Sequence, residues 1–180
     1  MYAKRSVSTR IAKYLFVVII FMGIISSLSL LVMASNKSDA EAINISGSLR
    51  MQSYRLLTEM ERSPDTVEQN LVRYQDSLNA HVLLTVQNQL FAPSGIKASY
   101  QKILQRWMMM SDFARAHQIE KYHAELKSYV QDVDDFVLEL QRFAEKKWII
   151  AVSVLCISML LILAMEIGRA SCRERVFRAV

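Results

Sequence analysis

An arginine placed one helical turn after a glycine, inside a run of apolar residues, is the part of this sequence best equipped for chemistry. Arg50 carries a guanidinium that stays charged under all relevant conditions and presents a planar fork of donors suited to an oxyanion. Gly47 has no side chain to hold a second backbone away. At about 100° per residue, Ile43, Gly47, Arg50, Met51, Tyr54 and Leu57 fall on one side of a helix. Ile45, Leu49, Leu56 and Met60 fall almost opposite. A helix at the edge of a bundle needs one apolar face, and this one has two. The second face needs a partner, the simplest being the same helix of a second copy across a twofold axis. Symmetry would then set Arg50 beside its mate, and a small anion between the two forks would relieve their repulsion and accept hydrogen bonds from both. On that reading Ile43, Met51, Tyr54 and Leu57 form a homodimer seam, and Gly47 and Arg50 bind the ligand. The competing reading extends Arg50 to a surface acid such as Glu41, or to a membrane phosphate. The pattern alone leaves both open.

The other reactive side chains have simpler readings. His81, His117 and His123 are scattered and read as surface or boundary residues. Asp132, Asp134, Asp135 and Glu139 read as the solvated side of a helix, because a calcium loop would need a glycine and a ligand spacing that are missing. Met108, Met109 and Met110 read as gap-filling core. Cys156 lies in an apolar run and Cys172 near the end, so neither a disulfide framework nor a metal site is expected. Nor is any catalytic residue.

The elements that must position Arg50 follow from how charge and apolar residues are distributed. The chain has 180 residues, 52% of them apolar and 22% charged, and a net charge of +5. Its 4 Gly and 2 Pro are too few to punctuate many short strands. Residues 1–34 hold four cations and no acid, residues 35–147 hold 14 basic and 15 acidic side chains, and residues 166–180 hold four arginines against two acids. The basicity thus lies outside the central region, which excludes the basic stripe that a nucleic-acid binder needs. Tyr14 to Ala34 is an uncharged run of 21 residues, and Trp148 to Met165 one of 18. At about 1.5 Å per residue each is close to bilayer thickness. Four cations before Tyr14 predict a cytoplasmic segment 1–13, a transmembrane helix 14–34, an outside region 35–147 and a returning helix 148–165. A cleaved signal peptide ending near Val32-Met33-Ala34 is the competing reading, but the apolar stretch exceeds a signal core of about 7–15 residues. Residues 166–180 change composition abruptly, and EIGRASCRERV resembles the translation of a short-read sequencing adapter. They are expected to be an artefact tail.

Within 35–147, breaks at Ser63-Pro64-Asp65 and Ala92-Pro93-Ser94-Gly95 and a softer one near His117 predict helices over about 36–62, 65–90, 96–115 and 118–147. The last is clearest: Ile119, Tyr122, Leu126, Tyr129, Val133, Phe136, Leu140 and Phe143 step by threes and fours. The expected architecture is all-α, an antiparallel four-helix bundle flanked by two transmembrane helices.

The stretch Asp39–Leu56, DAEAINISGSLRMQSYRL, resembles the nitrate-recognition element of nitrate/nitrite sensor histidine kinases of the NarX/NarQ type, and a weaker likeness covers residues 1–165. The resemblance implies a periplasmic sensor in a bacterial inner membrane, binding nitrate or nitrite at a dimer interface through the positions matched by Arg50 and Gly47. It also implies a kinase core using ATP in a cytoplasmic region not contained in these residues, and a response regulator as the partner reached through that region. Related sensor regions occur in pili-linked chemotaxis transducers, so a transducer without kinase activity is the alternative output. A membrane dimerisation protein without a ligand is a third possibility.

Overall fold

The computed structural model describes the backbone of residues 3–89 and 92–178 and the side chains of 12–13, 15–89 and 92–164. All regular structure among the described residues is helical. Helix α1 runs from Ala3 to Arg62, a 3-10 turn covers Pro64–Thr66, and α2 covers Val67–Leu78. Helix α3 covers His81–Val86, α4 Ser94–Arg115 and α5 Ile119–Arg178. Packing divides the chain into two units, one of residues 1–34 with 147–180 and one of Ser35–Lys146.

In the first unit, α1 and α5 each contain a stretch long and apolar enough to cross a membrane, and neither stretch is buried by the protein itself. Leu30, Leu31, Met33, Ile150 and Leu160 are all exposed, as lipid-facing residues must be. Cys156 is exposed too. The tail after Met165 has only its backbone among the described residues, so the expectation about the origin of 166–180, Cys172 included, lies outside them.

The second unit is the four-helix bundle. Its antiparallel order can be read from contacts that run in opposite directions along neighbouring helices. Gln52 meets Ser77 and Glu59 meets Asn70 between α1 and α2. Ser99 meets Glu139 and Arg106 meets Ser128 between α4 and α5. The core is apolar and aromatic: Leu49, Leu56 and Met60 from α1 close on Leu71 and Tyr74, on Ile103 and Trp107, and on the α5 stripe. Every member of that stripe from Tyr122 to Phe143 is buried. Tyr74 stacks on Trp107 with ring centroids 3.7 Å apart, and Tyr129 tilts against both rings. Of the three consecutive methionines only Met110 enters the core; Met108 and Met109 are exposed.

The turns follow from their residues. Pro64 takes the first position of its 3-10 turn, where it has no N–H to lose, and Thr66 closes the turn onto the Ser63 carbonyl. Pro93, at φ −58 and ψ 140, precedes α4. His117 has φ 53, and Gln118 N–H and His117 N–H return to the carbonyls of Phe113 and Ala114. That is a Schellman cap with histidine in the left-handed position usually held by glycine. One sequence expectation is corrected. The second bundle helix does not run from 65 to 90 but breaks at Asn79 and Ala80, where Ala80 turns extended at ψ 130. The carbonyl of Leu78 accepts a hydrogen bond from the buried Tyr100 hydroxyl at 2.6 Å. A long-range side chain satisfies the backbone there, so the helix can stop without Pro or Gly.

Candidate functional site

Arg50 and Gly47 sit on a side of α1 that its own bundle leaves open. Met51 is 69% exposed and Tyr54 51%, whereas Leu49 and Leu56, on the other side, are buried. Ile43 and Leu57 are half-buried and pack on the edge of the core. The open side is therefore an apolar strip with a guanidinium in its middle.

The guanidinium folds back on its own helix. Arg50 Nε donates to the Gly47 carbonyl at 3.3 Å, and a Cβ added at Gly47 would stand 3.4 Å from Nη2, an ordinary contact. Nη1 donates to Asp134 Oδ1 on α5 at 2.5 Å. The two side chains are 44% and 39% exposed, so water screens the pair, and such surface pairs contribute about 0–1 kcal/mol. The acid that Arg50 reaches is Asp134, 84 positions away in sequence, and not Glu41.

The other side of the same turns is held firmly. Ser53 Oγ donates to the Leu49 carbonyl at 2.7 Å and lies 3.2 Å from the Tyr74 hydroxyl, which is 2.8 Å from that of Tyr129. Tyr122 donates to the Ser53 carbonyl at 3.0 Å. Burial pushes the phenols of Tyr74, Tyr122 and Tyr129 well above the ordinary tyrosine range, so they remain neutral donors and acceptors in the core. This chain of hydroxyls ties α1 to α2 and α5 behind the open face. Its only sequence signal was the regular tyrosine spacing of α5, which also fits plain core.

The acids of α5 are not the uniformly solvated side that the sequence suggests. Asp132 is 8% exposed and clamped by Lys102 at 2.7 Å and Arg106 at 2.8 Å. Glu139 accepts from Ser99 at 2.9 Å, and Asp135 from Gln131 at 3.2 Å. Arg55 is turned away from Arg50, pairs with Glu59 at 2.7 Å and borders a polar cleft with Asn70 and Arg73. His81, His117 and His123 are exposed. Among the described residues no group of three or more His, Cys, Asp or Glu side chains is placed to hold a metal ion.

A helical bundle whose first and last helices carry membrane-spanning stretches is the architecture of a membrane-anchored sensor region, and the comparisons with known proteins agree. The profile of the family described as "Type IV pili methyl-accepting chemotaxis transducer N-term" matches residues 31–129. The Sensor protein NarQ homolog of Haemophilus influenzae is 63% identical over 165 residues, 92% of this chain. The Nitrate/nitrite sensor protein NarQ of Escherichia coli is 34% identical over 154 residues, 86% of this chain. The chain belongs to the family that the transducer profile describes and to the NarX/NarQ-type sensors. It spans 29% and 27% of the lengths of those two relatives.

Proposed function

We propose that this chain is the input region of a two-component nitrate/nitrite sensor, and that it binds the anion between the α1 helices of two copies through Arg50 lying over Gly47. One observation carries the reading: a guanidinium, held by a screened surface pair and a hydrogen bond to its own helix backbone, stands in an apolar strip that its own bundle does not cover. A second copy would bury Met51 and Tyr54, and burial between two copies would strengthen the hold of each fork on a shared anion. The names of the two relatives supply the ligand class, and the apolar stretches of α1 and α5 the membrane.

In this arrangement residues 14–34 and 148–165 cross the bacterial inner membrane and 35–147 face the periplasm. The signal leaves through the helices themselves. Helix α1 is unbroken from Ala3 to Arg62 and α5 from Ile119 to Arg178, so a change at Arg50 is not absorbed by a linker. A shift of about 1–2 Å is the usual scale for packed helices. The kinase core and its ATP site belong to the remainder of a protein of the relatives' length, and the response regulator is a separate partner reached through it. The match to the transducer profile favours a second reading, in which the same region feeds a chemotaxis-type output without kinase activity. The DNA that follows the Met165 codon in the intact gene distinguishes the two.

The anion reading is tested by nitrate titration of the full chain in detergent micelles. Arg50→Ala should abolish binding, a loss of about 2–5 kcal/mol for a desolvated charge-assisted contact, with helicity intact. Arg55→Ala should bind as the wild type does. Equal losses in both variants would mean a diffuse basic surface and no site.

A further inference from the structure

The guanidinium that the anion would need is already in use. Asp134 Oδ1 takes Arg50 Nη1 at 2.5 Å, joining α5 to α1 at the middle of the open strip. A carboxylate and a small planar oxyanion offer the same fork the same kind of acceptor oxygens, so both cannot hold it fully at once. The α5 acids nearest it in sequence have other duties: Asp132 serves Lys102 and Arg106, Glu139 serves Ser99, and Asp135 serves Gln131. Among the described residues, Asp134 is the α5 acid that reaches Arg50.

We infer that Asp134 is the built-in competitor of the anion: it occupies the Arg50 fork in the unliganded protein, sets the concentration at which a small oxyanion takes over, and releases α1 from α5 when displaced. The inference rests on the anion reading of Arg50. The exposure of the pair suits the role. With both side chains more than a third exposed, the contact is weak enough for one monovalent ion to replace, and the expelled carboxylate returns to water. A pair as enclosed as Asp132 with Arg106 would not yield so easily. Asp134 also neutralises each Arg50 before the anion arrives, which allows two copies to bring their guanidinia together unliganded. Because α1 and α5 are the helices that continue into the apolar stretches, exchanging Asp134 for the anion changes the link between those two helices and no others.

The test is calorimetric nitrate titration and sedimentation of the full chain in detergent micelles, comparing wild type with Asp134→Asn, Asp134→Glu and Asp135→Asn. Removing the competitor should tighten nitrate binding roughly threefold to tenfold, given what a screened pair is worth at each of two sites. It should also weaken self-association without nitrate, since two bare guanidinia then face each other. Asp134→Glu should restore wild-type behaviour, and Asp135→Asn, which removes the same charge one residue away, should change neither quantity. Unchanged or weaker binding by Asp134→Asn, or an equal gain in Asp135→Asn, overturns the competitor and leaves the anion site standing. A wild-type chain that takes up no nitrate through Arg50 overturns the anion reading and the competitor together.

Discussion

The two faces of α1 between Ile43 and Met60 differ in how their residues are held. On one, Leu49, Leu56 and Met60 are fully packed, and even the polar members Ser46 and Ser53 are buried with their hydroxyls returned to the helix backbone. On the other, Met51, Tyr54 and Arg50 stand exposed, and the contact there to another helix is a screened ion pair. The difference teaches where free energy is stored in a sensor of this kind. The packed face fixes the register of α1 against α2 and α5, so the helix can transmit a movement. The open face is left with little intrachain energy, so on the proposed reading a ligand and a second copy would decide its state.

The largest test of that contrast is a pair of truncations two residues apart. Leu56→Ala should cost about 2–5 kcal/mol in denaturant unfolding, because it empties a site that is 1% exposed. Tyr54→Ala should stay within about 0.5 kcal/mol in the same measurement while weakening self-association in sedimentation. Similar losses of stability in both variants would mean that the two faces are not distinct.

A second test addresses the hydroxyl chain behind the open face. Tyr74, Tyr122 and Tyr129 are held above the ordinary tyrosine range by burial, so the unfolded chain ionises first as pH rises. Their contribution is complete below pH about 10, the unfolded value, and is lost above it at about 1.4 kcal/mol per pH unit for each phenol. Unfolding free energies measured from pH 8 to 11 should be flat and then fall, and Tyr129→Phe should reduce the slope. A stability that is indifferent to alkali would show these phenols to be reachable by water.

How much of this was readable beforehand depends on the range of the interactions. The α5 stripe and the two-faced α1 were legible because a period of three and four residues is written locally, and Pro64 and Pro93 mark their turns directly. The break at Asn79 and Ala80 was not, because a tyrosine 22 positions away in α4 satisfies the freed carbonyl. Arg50 was legible as a charge on an apolar face. Its partner was not: four acids lie close together on α5, and only the rotation of that helix against α1 decides that Asp134 is the one in reach. The same rotation turned Asp132 inward to Lys102 and Arg106, where composition suggested a solvated side.

The smallest expected effect is the most diagnostic, since it should carry opposite signs in two measurements. Gly47 does not have positive φ, and the neighbour its added Cβ would meet among the described residues is Arg50 Nη2 at 3.4 Å. Among the described residues nothing therefore requires glycine, and Gly47→Ala should stabilise α1 by about 0.5–1 kcal/mol through reduced backbone freedom in the unfolded state. If Gly47 is there for a second backbone and a shared anion, the same methyl group should obstruct them, lowering nitrate-dependent self-association while the melting temperature rises. Thermal unfolding and sedimentation on one preparation read both signs. A variant that is more stable and also associates and titrates like the wild type would show that neither a second backbone nor the anion needs the space that Gly47 leaves open.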